Sequence, residues 1–328
     1  MTATTLKHFQ ADEVIDYADC GSWRQGRYFL DKATAYALEM ALATQRPLLV
    51  KGEPGLGKSY LARAAAAKLK RKFIAEVINV NTEGQDLLWR YDPVARLNDA
   101  HAGLKDDDKL NPKHYLNPGV LWWTFGWDSA ARHYKDVCRH KVYHPHTSED
   151  GDLDNGIVLL IDEIDKAEPS LPNALLEVLG NGGFDVPLLG ETIGKTPQTV
   201  EKKSALPLVI ITSNDERELP AAFIRRCLVL HLTVDDKNLE TWFLDRAKVH
   251  FNDEQCSDSI KRLALQQLIA DRQEAERHGT IKAGLAEYLD LLAALHEMTD
   301  SKLKGQERDS YQECLLAEIQ HFVLRKAL

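Results

Sequence analysis

Cysteine is scarce in this chain of 328 residues, and long apolar runs are missing. The five cysteines are scattered and form no CxxC pair, so the sequence indicates neither a disulfide framework nor a zinc knuckle. No stretch reaches the ~18 apolar residues that a membrane-spanning helix needs, and the N-terminus lacks the apolar core of a signal peptide. We therefore expect a cytoplasmic protein without a membrane span.

Basic residues are outnumbered by acidic ones. The formal net charge of −9 argues against nucleic acid as the main partner. The hydrophobic content is 44% and the charged content 28%, which is ordinary for a globular protein and provides enough apolar residues for a sizeable core.

A glycine-rich segment carries the clearest chemistry. Residues 52–59 read GEPGLGKS, which matches the phosphate-binding pattern GxxxxGK(S/T) and follows an apolar run typical of a strand. In this pattern Lys58 brings a positive charge to the phosphates and the Ser59 hydroxyl binds Mg²⁺, while an Ala-rich helix over 60–70 points its N-terminus at the anion. The alternative is an ordinary glycine-rich turn. We expect contacts with ATP from Gly52, Glu53, Pro54, Gly55, Leu56, Gly57, Lys58, Ser59 and Tyr60.

Two adjacent acids follow the next strong strand signal. Residues 156–161 form a continuous apolar run, typical of a strand buried on both faces, and Asp162 and Glu163 come directly after it. Acids at the carboxyl end of a central strand face the ligand crevice of an open α/β sheet. We expect Asp162 to hold Mg²⁺, through water, and Glu163 to polarise the attacking water. A solvated turn is the alternative.

A third apolar run, residues 206–212, ends in Ser213 and Asn214. Asn214 is then placed beside the first two strand ends, where its amide can contact the γ-phosphate or orient water. Further along, Arg225 and Arg226 precede a predicted edge strand over 228–232. Such arginines are usually surface charges, but in a ring-shaped ATPase they can reach the nucleotide of a neighbouring subunit.

These motifs together resemble one family. GEPGLGKS, LLIDEIDKAEPSLPNALLEVL, IITSN and LPAAFIRRCLVLHL are similar to the MoxR branch of AAA+ ATPases and to the wider group of MoxR-like and dynein-related AAA+ modules, across residues 28–233. The resemblance implies an α/β fold: an AAA+ P-loop NTPase core with a mostly parallel sheet, plus a C-terminal all-helical lid. It also implies that Asn214 is the sensor 1 residue and that Arg226 is the arginine finger, with Arg225 as an alternative finger or a third sensor.

The same resemblance extends to assembly and to the lid. Proteins of this kind commonly form hexameric rings and act on partner proteins, and many MoxR members work with a protein that carries a von Willebrand factor A domain. The segment 281–290 resembles the place of the basic sensor 2 residue, for which Lys282 is the nearest match. Ala283 and Gly284 replace the usual Pro-Ser there, and a solvent-facing lysine is the alternative.

The expected domains are an AAA+ α/β domain over residues 1–234 and a helical lid over 235–328, where apolar residues recur at helical spacing. Within the first domain we expect weak structure before Gly26 and a helix over 28–44. Insertions are expected at about 83–117, which is polar and irregular, at 139–155, a loop rich in His and acids, and at 184–205, a hairpin. A helix over 118–137 is expected to bury Trp122, Trp123 and Trp127 in the core.

The functional expectation is hydrolysis of ATP to ADP and phosphate with Mg²⁺, coupled in a homo-oligomeric ring to chaperone-like remodelling or activation of a partner protein. One alternative is a nucleotide-gated scaffold or sensor with slow turnover. The other is a DNA-linked motor subunit, against which the acidic charge argues.

Overall fold

The structure is a computed structural model and describes residues 6–103, 108, 110–146, 151–194, 206–234, 238–280 and 282–323. The strands in these ranges are β1 (Glu13–Tyr17), β2 (Gly26–Leu30), β3 (Leu48–Gly52), β4 (Arg71–Val77), β5 (Trp89–Tyr91), β6 (Leu116–Pro118), β7 (Asp152–Asp162), β8 (Phe184–Val186), β9 (Glu191–Ile193), β10 (Leu208–Ser213) and β11 (Leu228–Leu232). The helices are α1 (Lys32–Thr44), α2 (Lys58–Leu69), α3 (Gly84–Leu88), α4 (Pro93–His101), α5 (Val120–Phe125), α6 (Trp127–Arg132), α7 (Ser170–Asn181), α8 (Ala221–Arg226), α9 (Leu239–His250), α10 (Asp258–His278), α11 (Leu285–Glu297) and α12 (Gly305–Val323).

A five-stranded sheet in the order β11-β3-β10-β7-β4 forms the centre of the fold. Each neighbouring pair of its strands is parallel. The carboxyl ends of all five strands therefore meet at one edge of the sheet, where open α/β sheets bind ligands. The predicted α/β class with a mostly parallel sheet is confirmed.

Helices cover both faces of this sheet. Successive side chains of a strand point to opposite sides, so each strand contributes to a buried cluster on each face. On one face Leu49, Leu159 and Ile161 pack in the same buried cluster as Trp122 of α5. On the other face the intervening residues of β3 and β7 pack with α1 and α2. This burial on both sides explains why β3, β7 and β10 read as continuous apolar runs.

The C-terminal region, residues 238–323, is helical. Helices α9 to α11 pack around a core that includes Phe243, Leu265, Tyr288 and Leu291. In the described residues, no helix is both long enough and apolar enough to cross a bilayer. The predicted boundary at 234–235 adjoins residues 235–237, which lie outside the described residues.

The N-terminal segment differs from the expectation. Weak structure before Gly26 is wrong for the described residues, since β1 pairs with β2 in an antiparallel hairpin, with Glu13 opposite Leu30. The predicted helix over 28–44 therefore begins only at Lys32, where Asp31 caps it by accepting from the Thr34 backbone N–H. The hairpin strands are short, and a five-residue strand gives only a weak alternation signal.

Two further expectations need correction. The segment 83–117 is not irregular in its described part, because it forms α3, α4 and the antiparallel pair β5–β6. Helix α4 buries none of its residues, so its sequence lacks the apolar spacing that would predict a helix. The predicted helix over 118–137 is broken at Gly126 into α5, α6 and a π-helical turn over 133–137. The core position of Trp122 and Trp123 is confirmed, since both are fully buried, whereas Trp127 is only partly buried and packs against the same core cluster.

The other two insertions are described in part. The pair β8–β9 confirms the predicted hairpin over residues 184–194, whereas residues 195–205 lie outside the described range. The predicted loop over 139–155 is shorter than expected, because β7 begins at Asp152. Residues 147–150 lie outside the described range.

Candidate active site

The glycine-rich loop joins β3 to α2 at the carboxyl edge of the sheet. Gly55 and Gly57 have φ angles of +79° and +83°, a left-handed conformation that residues with a Cβ rarely adopt. Gly57 is the N-cap of α2, so the loop N–H groups and the positive end of the helix dipole face the same space. This arrangement is suited to phosphate.

Lys58 lies inside the loop and is 6% exposed. Its Nζ donates to the carbonyl oxygens of Gly52 at 2.7 Å and Glu53 at 2.8 Å. Burial lowers the pKa of Lys58, and the nearby carboxylates of Asp162 and Asp165 oppose that shift. The cation is thus held by neutral carbonyls, and an anion that enters the loop competes for it with the stronger attraction of a full charge.

Ser59 and Asp162 lie against each other across the strand ends. The Ser59 hydroxyl donates to both carboxylate oxygens of Asp162, at 2.8 and 2.9 Å, and the Thr212 hydroxyl donates to Oδ1 of the same carboxylate. A hydroxyl and a carboxylate are hard oxygen ligands of the kind Mg²⁺ takes, with its remaining positions filled by water and phosphate. The residues therefore fit Mg²⁺ bound together with a nucleotide. Among the described residues, no group of three or more His, Cys, Asp or Glu side chains could hold a metal on its own.

Glu163 is fixed at its backbone and at both side-chain oxygens. Its φ of +59° is unusual for a residue with a side chain, and its N–H donates to the Thr212 hydroxyl at 2.9 Å. Oε1 accepts from Asn214 Nδ2 at 3.3 Å, and Oε2 accepts from Lys166 Nζ at 2.6 Å. The hydrogen bond to Glu163 raises the pKa of Lys166. The carboxylate therefore has one orientation, set by two donors.

The loop after β10 is held by Asp165, which is 1% exposed. Its Oδ2 accepts from the backbone N–H groups of Asn214 at 3.1 Å and Glu216 at 2.9 Å. Asp165 thus places Asn214 next to Glu163. Sequence reasoning missed three residues here, Thr212, Asp165 and Lys166. The parallel register that pairs Ile211 with Ile161 puts Thr212 beside Asp162, and this is the signal that could have revealed it.

These groups open into a cavity of about 430 Å³, within the usual range for a small-molecule site. The loop and the strand ends form one side of the cavity, and the N-terminal hairpin and the helical region form the others. Burial raises the pKa of Tyr17 to about 12 and also raises that of Tyr28, so both phenols stay neutral. The lining includes Tyr17, Tyr28, Pro54, Gly55, Leu56, Gly57, Lys58, Ser59, Tyr60, Asp162, Glu163, Thr212, Asn214, Arg246, Leu285 and Leu289.

Five predicted site residues do not line the cavity. Two of them, Gly52 and Glu53, stand at the start of the loop, where their carbonyl oxygens accept from the Lys58 amine.

The other three lie elsewhere. Arg225 and Arg226 are exposed at the end of α8 and do not line the cavity. Lys282 is also outside the lining, and its Nζ pairs with Glu276 Oε1 at 2.8 Å. The predicted roles of these three residues stay predictions.

The sequence of residues 47–227 matches the family described as AAA domain (dynein-related subfamily). The match covers more than half of the 328 residues and includes the loop, both acids, Asn214 and both arginines. The chain belongs to this AAA family. Its α/β core is therefore an AAA+ P-loop fold of the nucleotide-binding type, while the N-terminal hairpin and the helical region lie outside the matched residues.

Solved structures give weaker likenesses. A protein of Cytophaga hutchinsonii assigned as an ATPase is 16% identical, with 88% of this chain and 79% of the other covered and a TM-score of 0.35. Two single-residue mutants of RuvB from Thermotoga maritima are 15% and 17% identical, with 88% of this chain and 68% of theirs covered and TM-scores of 0.41 and 0.43. No curated protein matches the chain.

Proposed function

We propose that this AAA protein hydrolyses ATP to ADP and phosphate. The observation that carries the proposal is the meeting of Lys58, Ser59, Asp162, Glu163 and Asn214 in one cavity, although they come from three separate strand ends. The phosphate loop, the metal-binding pair and the water-polarising pair are the parts that phosphoryl transfer to water requires.

Each group has a separate task in this proposal. The loop N–H groups and Lys58 bind the phosphates, and Ser59 and Asp162 hold Mg²⁺, which neutralises phosphate charge when it is bound. Glu163 accepts the proton of the attacking water, and Asn214 and Lys166 keep the carboxylate oriented for this. Tyr28 lines the same cavity, and by the MoxR resemblance it lies near the adenine base.

We further propose a MoxR-like homo-oligomeric ring, a hexamer, that uses hydrolysis to remodel or activate a partner protein. The exposed positions of Arg225 and Arg226, outside the cavity of their own subunit, support a role at the cavity of a neighbour. By the MoxR resemblance the partner is a protein with a von Willebrand factor A domain. Lys282 as sensor 2 and residues 235–328 as a lid belong to the same proposal.

Steady-state hydrolysis and nucleotide binding of two variants test the activity. Lys58→Ala is expected to stay folded and to lose ATP affinity, since its amine serves the loop and not the core. Glu163→Gln is expected to bind ATP but to turn over ~10²-fold more slowly, the usual scale of general-base catalysis. Parental turnover in Glu163→Gln contradicts the role of Glu163.

The same measurements separate the alternatives. Tight ATP binding by the wild type with negligible turnover, even with a partner present, favours a nucleotide-gated scaffold. Tight, salt-dependent binding to DNA favours a DNA-linked motor.

A further inference from the structure

We propose that Arg46 is a positioning residue for Arg225 and Arg226, and that it acts on the active site of the adjacent subunit. This inference rests on the proposed function, because it assumes that the two arginines complete a neighbour's site. Arg46 lies between α1 and β3, far along the chain from the residues that it holds.

The guanidinium of Arg46 binds the last carbonyl groups of α8. Its Nη2 donates to the carbonyl oxygens of Arg225 at 2.6 Å and Cys227 at 2.9 Å, and its Nε donates to the carbonyl of Arg226 at 3.1 Å. Three successive carbonyls thus share one planar donor group. The backbone of the two arginines is held, and their side chains are left to point outward.

Helix α8 needs such a contact. It has six residues, and a helix of that length is not stable by itself in water. Its C-terminal carbonyls have no partners within the helix, and they carry the negative end of the helix dipole. A cation at this end satisfies both needs, and its fork geometry fixes the direction of the last turn.

The place of Arg46 is itself fixed by the sheet. The strand after α8, β11, pairs in parallel with β3, and Leu228 stands opposite Leu48. The pairing begins with a hydrogen bond from the Leu228 N–H to the Pro47 carbonyl at 2.8 Å. Arg46 is therefore attached to the rigid start of a central strand, one residue before the first bond of that ladder. The end of α8 is therefore held to the sheet by this side chain as well as by the pairing of β11 with β3.

The energetic consequence follows from geometry. A displacement of about 1 Å in a group that stabilises transition-state charge can reduce turnover by ~10²-fold. Loss of the Arg46 contacts frees the last turn of α8, so Arg225 and Arg226 spread over many positions. Nucleotide binding in the same subunit depends on the carboxyl ends of the strands, whereas Arg46 lies at the start of β3, so binding is not disturbed.

A competing explanation is that Arg46 supports the phosphate loop of the same subunit, since β3 runs from Arg46 to that loop. Mixing two inactive proteins separates these explanations. Lys58→Ala lacks a working phosphate loop but has an intact arginine pair. In a mixed ring it can therefore serve the intact loop of an Arg46→Ala subunit. An effect of Arg46 on its own loop cannot be repaired in this way.

The experiment measures ATPase activity and ATP affinity for Arg46→Ala alone and mixed with Lys58→Ala. We expect near-parental affinity, a loss of turnover of ~10-fold to 10²-fold, and recovery on mixing. Arg46→Lys keeps the charge without the planar fork and is expected to fall between the two. Arg262→Ala removes an exposed arginine of α10 that does not line the cavity, and it serves as the control with unchanged activity.

Each other outcome has a defined meaning. If Arg226→Ala recovers on mixing with Lys58→Ala but Arg46→Ala does not, Arg46 acts in its own subunit and the inference is overturned, while the ring proposal stands. If Arg225→Ala and Arg226→Ala both keep parental turnover, neither arginine completes a neighbour's site, and the inference falls with that part of the proposed function. If Arg46→Ala does not fold, Arg46→Lys is mixed with Lys58→Ala instead. Recovery of ATPase activity then supports the inference, and no recovery overturns it.

Discussion

At the scale of single residues, one hydroxyl holds the acidic end of β7. Thr212 is 1% exposed, donates to Asp162 and accepts from the Glu163 N–H. The Glu163 N–H lies one residue past the end of β7 and has this hydroxyl as its acceptor. Asp162 and Glu163, the proposed metal-binding and water-polarising acids, are therefore coupled through Thr212.

Thr212→Val keeps the shape of the side chain and removes this coupling. We expect the free energy of unfolding to fall by about 1–3 kcal/mol, the cost of leaving a buried N–H without a partner, and turnover to fall more than ATP affinity. Thr212→Ser keeps the hydroxyl and is the control. Urea unfolding and steady-state kinetics measure both effects. Equal turnover in the Val and Ser variants contradicts a role for the hydroxyl.

The residues that sequence predicted and those that it missed differ in a physical way. Lys58, Ser59, Asp162 and Glu163 stand at fixed spacing in a motif, so a short stretch of chain is enough to identify them. Thr212 acts through contacts between strands that are distant in sequence, and these contacts depend on the register of the sheet. Asp165 and Lys166 are close to Glu163 in sequence, but a 3-10 turn over 164–166 decides where their side chains lie.

At the scale of elements, the π-helical turn over 133–137 contains a buried titratable group. His133 is 6% exposed, and its Nε2 lies 2.9 Å from the Leu116 carbonyl oxygen. Burial lowers the pKa of His133, against a smaller raising effect of the hydrogen bond to Leu116 and of Glu191, while His114 lowers it further. The turn is therefore most stable when this ring is neutral.

The sign of the pH effect follows from that shift. The unfolded chain takes up a proton near the ordinary histidine pKa of ~6.5, whereas the folded chain does so only at lower pH. The contribution of His133 to stability is thus complete above about pH 6.5 and is lost as the pH falls from there towards the lowered folded pKa.

His133→Gln keeps a donor and does not titrate. We expect the stability advantage of the wild type over His133→Gln to shrink by about 1 kcal/mol between pH 7.5 and pH 5.5, measured by urea unfolding. An advantage that is constant with pH contradicts burial of a neutral ring.

Elements were predictable where burial produces a recognisable apolar pattern in the sequence. The strands β3, β7 and β10 are apolar because helices cover both faces of the sheet, and the boundaries of β11 match the prediction residue for residue. The hairpin β1–β2 and helix α4 have weaker sequence patterns. Helix α4 depends on local capping, with Asp92 accepting from the Ala95 N–H and Pro93 at its start, and not on a buried face.

At the scale of the whole molecule, the helical region touches the phosphate loop directly. Arg272 of α10 donates to Glu53 Oε2 at 3.0 Å and also to the carbonyl of Ala283. Close to that carbonyl, the Ala286 N–H donates to the Gly55 carbonyl at 3.2 Å. The wall of the cavity that Leu285 and Leu289 form is therefore connected to the loop that we propose binds phosphate.

The ties predict an order among variants in ATP affinity. Glu53→Gln weakens one ion pair that is half exposed, so we expect a change of at most about fivefold, which disappears at high salt. Arg272→Gln also releases the Ala283 carbonyl, so the segment before α11 loses its second support and the loss of affinity is larger and persists in salt. Exchange of the two charges, with Glu53→Arg and Arg272→Glu together, restores the ion pair but not the bond to the carbonyl. Its affinity should therefore exceed that of Glu53→Arg alone and remain below that of the wild type. Calorimetric titration with ATP at low and high salt measures this order, and parental affinity in Arg272→Gln would show that the helical region closes the cavity without help from α10.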